Sequence, residues 1–446
     1  MAANSRHQVC PLPFACLALA LAIGFFAGVP TMAAETENEL SDERIEARIL
    51  EHRTAEVTLT VTGASGEPLA DEAVTVRQVR HKFLFGCNAF MVGRCGKPEL
   101  ERAYRKRFSD LLNYATLPFY WGAYEPEEGK PAAARLGLMA QWCAENGIRA
   151  KGHPLCWHTV VPTWLEAKRS AEVEALQLAR ITRDVKAFAG SVDTWDVVNE
   201  AVVMPDFRQP NPISRMCKRL GRVELIQRTF AQARKANPKA TLLMNDYMTT
   251  PAYEKLIRQC LDAGVPIDVI GIQSHMHVGY WGGQKVWEVC QRFAKLGRPL
   301  HFTEATLVSG RLKTDSDWMG RHPGWNTTAA GEQRQAREAA EFYRILFSHP
   351  AVEAITWWDF SDLGAWQGAP AGFVRKDMSP KPAYDALKEL IKRKWWTGEL
   401  KLTTDQAGRV RFRGFLGDYD VESPKGTAEF KVGKAGRVRT TARLHE

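Results

Sequence analysis

Two short apolar runs end in glutamate, Trp195-Asp-Val-Val-Asn-Glu200 and Leu300-His-Phe-Thr-Glu304. A protonated carboxyl paired with an ionised one is the equipment for cleaving a glycosidic bond: one protonates the leaving oxygen, the other attacks or activates water. A double displacement asks for a separation of roughly 5 Å. Once Glu304 is negative, its field raises the pKa of Glu200, and a donor such as His275 holds Glu304 charged. Asn199, just before Glu200, offers an amide for a sugar hydroxyl. A lone glutamate of this kind is ordinarily a solvated loop carboxylate. Two in matching contexts point to chemistry.

Other polar clusters end neighbouring apolar runs: Lys151-Gly-His-Pro-Leu-Cys-Trp-His158, Asn245-Asp-Tyr247, Gln273-Ser-His-Met-His277 and Trp357-Trp-Asp-Phe-Ser-Asp362. Sugars present flat apolar faces ringed by hydroxyls, so aromatic platforms beside amides and imidazoles suit them. Trp157, Trp164, Tyr247, Trp358 and Trp366 are the candidate platforms, with His153, His158 and His275 as imidazoles and Gln273 as a further amide. Trp142, Trp287, Trp395 and Trp396 fall in helical patterns and read as packing. Five histidines (His153, His158, His275, His277 and His301) also raise a metal-dependent hydrolase. The first strand carries no His-x-His, however, and neither a metal nor another cofactor is expected.

These clusters need a scaffold that gathers strand ends. Eight apolar strands are expected at Lys82–Cys87, Tyr114–Pro118, Arg149–Leu155, Thr194–Asn199, Ala240–Asp246, Val269–Ser274, Leu300–Glu304 and Ala354–Asp359, with amphipathic helices between them. Eight β-α units predict an α/β fold, a (β/α)8 TIM barrel over 81–396, whose catalytic residues gather at the C-terminal strand ends. A doubly wound sheet would want a glycine-rich first turn, and Gly86-Cys-Asn-Ala-Phe90 is not one. Segments 35–80 and 397–446 alternate in strand fashion and are expected to form a small accessory β unit together.

The composition is that of an ordinary globular chain, 45% hydrophobic and 25% charged, with a formal charge of +9. Its basic residues are dispersed along the sequence and read as solvated faces, so no nucleic-acid partner is expected. An apolar run from Phe14 to Val29, followed by Ala33-Ala34, reads as a signal peptide over 1–34. The mature protein is therefore expected to be secreted or periplasmic, with no membrane span. Seven cysteines lie beyond that segment without a Cys-x-x-Cys pair, and buried thiols with at most one bridge are expected.

In order and spacing the clusters resemble glycoside hydrolase family 10, whose best known members are endo-β-1,4-xylanases. The matching runs span about Lys82 to Lys394 and include Pro162, Trp164, Thr303-Glu304 and Trp366. The resemblance implies a retaining mechanism with Glu200 as acid/base and Glu304 as nucleophile. It further implies that His275 hydrogen-bonds the nucleophile, that Asn199 and His153 hold the sugar at the cleavage point, and that Gln273, Trp358 and Trp366 complete that pocket. Where the family shows Glu-Asn and then Lys-Trp after the second strand, this chain has Thr116, Leu117 and Tyr120. Val160 replaces a usual Gln, and Thr306 a common Asp. The resemblance thus implies retained catalytic machinery with rewritten glycone recognition. The expected partner is a polysaccharide or oligosaccharide. Alternatives are a different or decorated β-glycan, or a carbohydrate-binding protein without turnover, against which both retained glutamates argue.

Overall fold

The computed structural model describes residues 39–445, apart from 316 and 319. The segment read as a signal peptide, 1–34, lies outside the described residues. Among the described residues sixteen strands run in chain order. The first two are β1 (Thr54–Thr62) and β2 (Ala73–His81). The next nine are β3 (Leu84–Asn88), β4 (Tyr114–Pro118), β5 (Arg149–His153), β6 (Thr194–Asn199), β7 (Thr241–Asp246), β8 (Val269–Ile272), β9 (His275–Met276), β10 (Leu300–Leu307) and β11 (Val352–Trp357). The last five are β12 (Leu400–Thr403), β13 (Arg409–Phe415), β14 (Gly417–Ser423), β15 (Gly426–Val432) and β16 (Gly436–Arg443).

Strands β3 to β8, then β10 and β11, pair in parallel, and β11 returns to β3, which closes the eight-stranded barrel. The short β9 continues the sixth barrel strand and pairs with β10. Amphipathic helices such as Pro98–Leu111, Ser170–Ala187 and Ala329–Ser348 cover the outside. Two glycines admit bulky neighbours inside the sheet. A Cβ at Gly152 would lie 2.2 Å from the Trp195 ring, and one at Gly271 would lie 2.5 Å from the Asn245 amide oxygen. The Asn245 side chain reaches the barrel mouth because residue 271 has none.

The terminal strands form two sheets, β13-β1-β16 and β12-β2-β14-β15, each combining one N-terminal strand with C-terminal ones. Their inward residues, among them Val57, Leu59, Val76, Tyr419, Val421 and Phe430, share one apolar cluster. Neither terminus supplies enough strands alone, and pairing across the chain provides the missing partners.

Two expectations are revised, and the one for the cysteines stands. The segment 35–80 is not all strand, because it opens with a helix at Asp42–Arg53. Ser41 caps that helix, Ile45 and Ile49 bury one turn apart, and the Arg53 guanidinium donates to the carbonyls of Phe347, His349 and Val352 at 2.6 to 2.8 Å. A one-turn apolar spacing inside a charged stretch had too small a face to read as a helix. The third, sixth and eighth barrel strands end earlier than expected, at His153, Ile272 and Trp357, where the chain leaves the sheet and polar side chains follow at the mouth. All seven described cysteines are buried free thiols, and no bridge forms among them.

Candidate active site

The strand ends bring Glu200 and Glu304 to one mouth and link them through amides. Asn245 Nδ2 donates to Glu304 Oε1 at 2.8 Å and to Asn199 Oδ1 at 2.8 Å. Asn199 Nδ2 lies 3.3 Å from Glu200 Oε1, and Gln273 Nε2 reaches both Asn199 Oδ1 (3.1 Å) and Glu200 Oε1 (3.2 Å). Thr303 donates to Asn245 Oδ1 at 2.6 Å, which fixes which end of that amide faces the carboxylate.

Glu200 follows β6 at φ +57°, a left-handed conformation that costs a non-glycine residue about 1–2 kcal/mol. Its N–H donates to the Asn245 carbonyl at 2.8 Å. The Asp246 carboxyl accepts the N–H groups of Val202 (3.1 Å) and Met248 (3.0 Å), bracing the turn from the far side. Burial pushes Glu200 up to about 8; the donors Trp157 and Gln273 oppose this, and the negative fields of Asp246 and Glu304 add to it.

Glu304 has the opposite balance. Burial would raise its pKa, but the hydrogen bond from His275 (Nε2 to Oε2, 3.0 Å), with the electrostatic influence of His153, His275 and Lys151, holds it below the ordinary glutamate value. His153 Nε2 lies 4.0 Å from Glu304 Oε1, and its Nδ1 is 2.7 Å from the Asp196 carboxylate. Lys151 Nζ meets the same Asp196 oxygen at 2.6 Å. All three side chains are buried, and burial, which would raise Asp196, is outweighed by Lys151 and His153, so Asp196 is also held ionised. One carboxyl is thus kept protonated near neutrality and its neighbour kept charged. Such a pair can protonate a leaving oxygen and attack the carbon it leaves.

Aromatic rings line the cleft. Trp358 packs edge to face on His153 and His275, and Trp366 lies 4.8 Å from the His275 ring. Trp157 is half-buried beside Tyr120, with ring centres 5.5 Å apart. Tyr247 is 43% exposed at the rim. His158 is buried behind Trp157, edge-on to that ring at 6.2 Å and to Phe207 at 4.4 Å. His277 is likewise enclosed, next to His275, while His301 lies near the start of β10 against Tyr114. Among the described residues no group of three or more His, Cys, Asp or Glu side chains is placed to hold a metal ion.

Thr116 and Leu117 are buried. The Tyr120 ring packs on His153 (5.4 Å), Trp157 and Phe90 (5.8 Å), and Phe90 in turn packs on Trp358 at 5.4 Å. An apolar wall therefore stands beside the two carboxyls on this side. Val160 is exposed nearby at φ +48°, rare for a β-branched residue, and its carbonyl accepts the Gly122 N–H at 2.6 Å. Phe90 and Trp318, which stacks on Trp366 with centres 6.3 Å apart, escaped the sequence reading. Trp318 lies in the long polar connection after β10, and that length was the available signal.

A closed (β/α)8 barrel with an acid and a carboxylate bridged by amides at its mouth, under an aromatic rim, is the architecture of a glycoside hydrolase. The profile of Glycosyl hydrolase family 10 matches residues 95–390, and the chain belongs to that family. It is 29% identical over 288 residues to an endo-1,4-beta-xylanase/feruloyl esterase of Xylanibacter ruminicola, covering 58% of this chain and 39% of that relative's length. It is 29% identical over 292 residues to endo-1,4-beta-xylanase B of Thermotoga neapolitana, covering 61% of this chain and 78% of that protein. The crystal structure of xylanase 10B from Thermotoga maritima superposes with a TM-score of 0.60 at 26% identity, over 70% of this chain and 96% of that one.

Proposed function

We propose that this chain hydrolyses a β-1,4-linked, xylan-like polysaccharide with retention of configuration, Glu304 acting as nucleophile and Glu200 as acid/base. The observation that carries the reading is the opposed environment of the two carboxyls: burial holds Glu200 protonated to about pH 8, while His275, His153 and Lys151 hold Glu304 charged, with Asn245 donating to its other oxygen. Glu304 attacks the anomeric carbon as the Glu200 proton passes to the leaving oxygen. Glu200, now ionised, then takes a proton from the water that releases the sugar. Asn199, His153 and Gln273 hold the reacting sugar, with Trp157, Tyr247, Trp358 and Trp366 as its apolar surroundings. His158 supports Trp157 from behind. The relatives, named as xylanases, support the choice of glycan. The apolar run and Ala33-Ala34 support export through a signal peptide, and among the described residues no helix is long and apolar enough to cross a membrane.

A second reading is favoured by the Phe90–Tyr120 wall: the target is a different or decorated β-glycan whose glycone side makes apolar rather than ionic contacts. Reducing-end release over a polysaccharide panel decides between the two, and activity on other glycans with none on xylan selects the second. Glu304→Ala tests the chemistry. The rate on an activated aryl glycoside should fall on the order of 10⁴-fold. An equal rate in wild type and variant would remove the catalytic reading.

A further inference from the structure

The accessory unit carries a one-sided charge that the linear sequence disperses. In the sheet β13-β1-β16 the outward positions of β13 are Arg409, Arg411 and Arg413, and those of β16 include Arg437, Arg439 and Arg443. The strand between them turns Glu56, Thr58 and Thr60 outward. Register aligns these in rows across the sheet: Arg413, Glu56 and Arg437 in one, Arg411, Thr58 and Arg439 in the next. Side chains two residues apart on a strand stand about 7 Å apart, and the two flanking strands are separated by about 10 Å. The result is a flat ladder of guanidiniums with threonine hydroxyls between them.

Little on the protein neutralises this ladder. Glu56 pairs with Arg413, Asp405 pairs with Arg409 at the sheet end, and Arg443 donates to the Ala64 carbonyl at 2.8 Å. Arg411, Arg437 and Arg439 are exposed and have no ion-pair partner among the described residues. The opposite sheet of the same unit is different. There Arg77 sits between Glu399 and Glu422 at 2.9 and 2.6 Å, Arg80 meets Asp418, and Lys401 and Lys431 face Glu399 and Asp418. Solvated faces in general would show the mixed pattern on both sides.

We propose that the β13-β1-β16 face is a binding surface for a polysaccharide carrying carboxylate groups, such as a chain of uronic acid residues. A guanidinium donates two parallel hydrogen bonds to a carboxylate, and rows of them suit a polymer with regularly repeated charge. The intervening threonines offer partners for hydroxyls. The face presents no aromatic ring, so attraction is electrostatic and indifferent to the neutral sugar face. The choice of an acidic glycan over another polyanion rests on the glycosidase reading of the barrel, since a cationic module beside such a barrel would hold it on its polymer.

Affinity electrophoresis of the full chain tests this, with polygalacturonate or double-stranded DNA in the gel. Polygalacturonate should retard the wild type. The Arg411→Gln/Arg437→Gln/Arg439→Gln variant should bind on the order of tenfold or more weakly. Retardation should also collapse in about 0.5 M salt, where the screening length is about 4 Å. A control with Lys401→Gln and Lys431→Gln, on the opposite face, should be retarded as strongly as wild type, each measured against its own mobility in a polymer-free gel. Equal retardation of the triple variant and the wild type, or stronger retention by DNA than by polygalacturonate at equal polymer charge, overturns the proposal. Aryl glycoside hydrolysis separates this from the catalytic reading: it should be unchanged in the triple variant, and Glu304→Ala should abolish it without altering retardation.

Discussion

The imidazole of His275 stands between two oxygens, with Nδ1 3.1 Å from the Thr306 hydroxyl while Nε2 faces Glu304. An ionised Glu304 only accepts, so Nε2 must carry a proton. A hydroxyl can donate to Nδ1 or accept from it, and Thr306 therefore serves the neutral and the charged ring alike. The aspartate common at this position could only accept, which favours the charged ring.

Thr306→Val keeps the shape and removes that partner. We expect kcat/KM to fall roughly two- to twelvefold, the equivalent of about 0.5–1.5 kcal/mol for one hydrogen bond. The acid limb of the pH profile should move upward, because a less firmly oriented His275 holds Glu304 charged less well. Measurement of kcat/KM between pH 3 and 9 checks both, and an unaltered acid limb would show that Thr306 does not set the ring.

The wild-type profile should itself be a broad bell. Glu304 must be ionised and is held below the ordinary glutamate value, so activity is lost only as pH falls below about 4.5. Glu200 must be protonated and is raised to about 8, so activity is lost as pH rises through about 8. Glu200→Gln should abolish the alkaline limb. It should also cost about 10²- to 10⁴-fold on natural glycans and far less on activated aryl glycosides, whose leaving groups need little protonation.

Tyr120 joins the pocket around His153 and Trp157 to the wall formed with Phe90. Tyr120→Ala should raise KM for oligosaccharides roughly tenfold, the equivalent of about 1.4 kcal/mol for lost aromatic contact, with kcat changed much less. Steady-state kinetics on a ladder of oligosaccharides provides the measurement. An unchanged KM at every length would mean that the wall does not meet substrate.

Asp359 is a buried carboxyl with one oxygen accepting the Trp366 N–H at 3.1 Å and the other without a hydrogen-bond partner. Burial raises it to about 7 from an ordinary 3.8. A group raised on folding leaves stability intact below its unfolded value and withdraws it as pH rises towards the folded one. Asp359→Asn should therefore match the wild-type unfolding free energy near pH 4 and exceed it increasingly up to pH 7, by a few kcal/mol at most given about 1.36 kcal/mol per unit, with Tm rising in step. A constant difference across that range would refute the assignment.

Several features were legible because they depend on local pattern. The alternation of apolar runs and helices implied the barrel, and polar residues ending those runs located Glu200, Glu304, Asn199, Gln273 and His275, since a strand's end fixes where its next side chains emerge. Pairing of the two terminal segments was legible from their shared shortage of strands. The helix at Asp42–Arg53 was not, because its apolar face is two isoleucines whose value lies in the barrel helix they meet. Phe90 and Trp318 were hidden for a similar reason, being ordinary aromatics until the fold sets them beside Trp358 and Trp366.

The family and the barrel were readable from the chain alone, and so were the two carboxyls proposed for catalysis, because residue types at strand ends are written in the order of the chain. How those carboxyls differ came from the folded molecule, since the opposed pKa shifts arise from burial and from neighbours tens of residues away, such as His275 and Lys151. Tertiary structure also decided where the positive charge collects. Alternate arginines in β13 and β16 read as scattered along the chain, and only pairing of both strands with β1 turns them to one face.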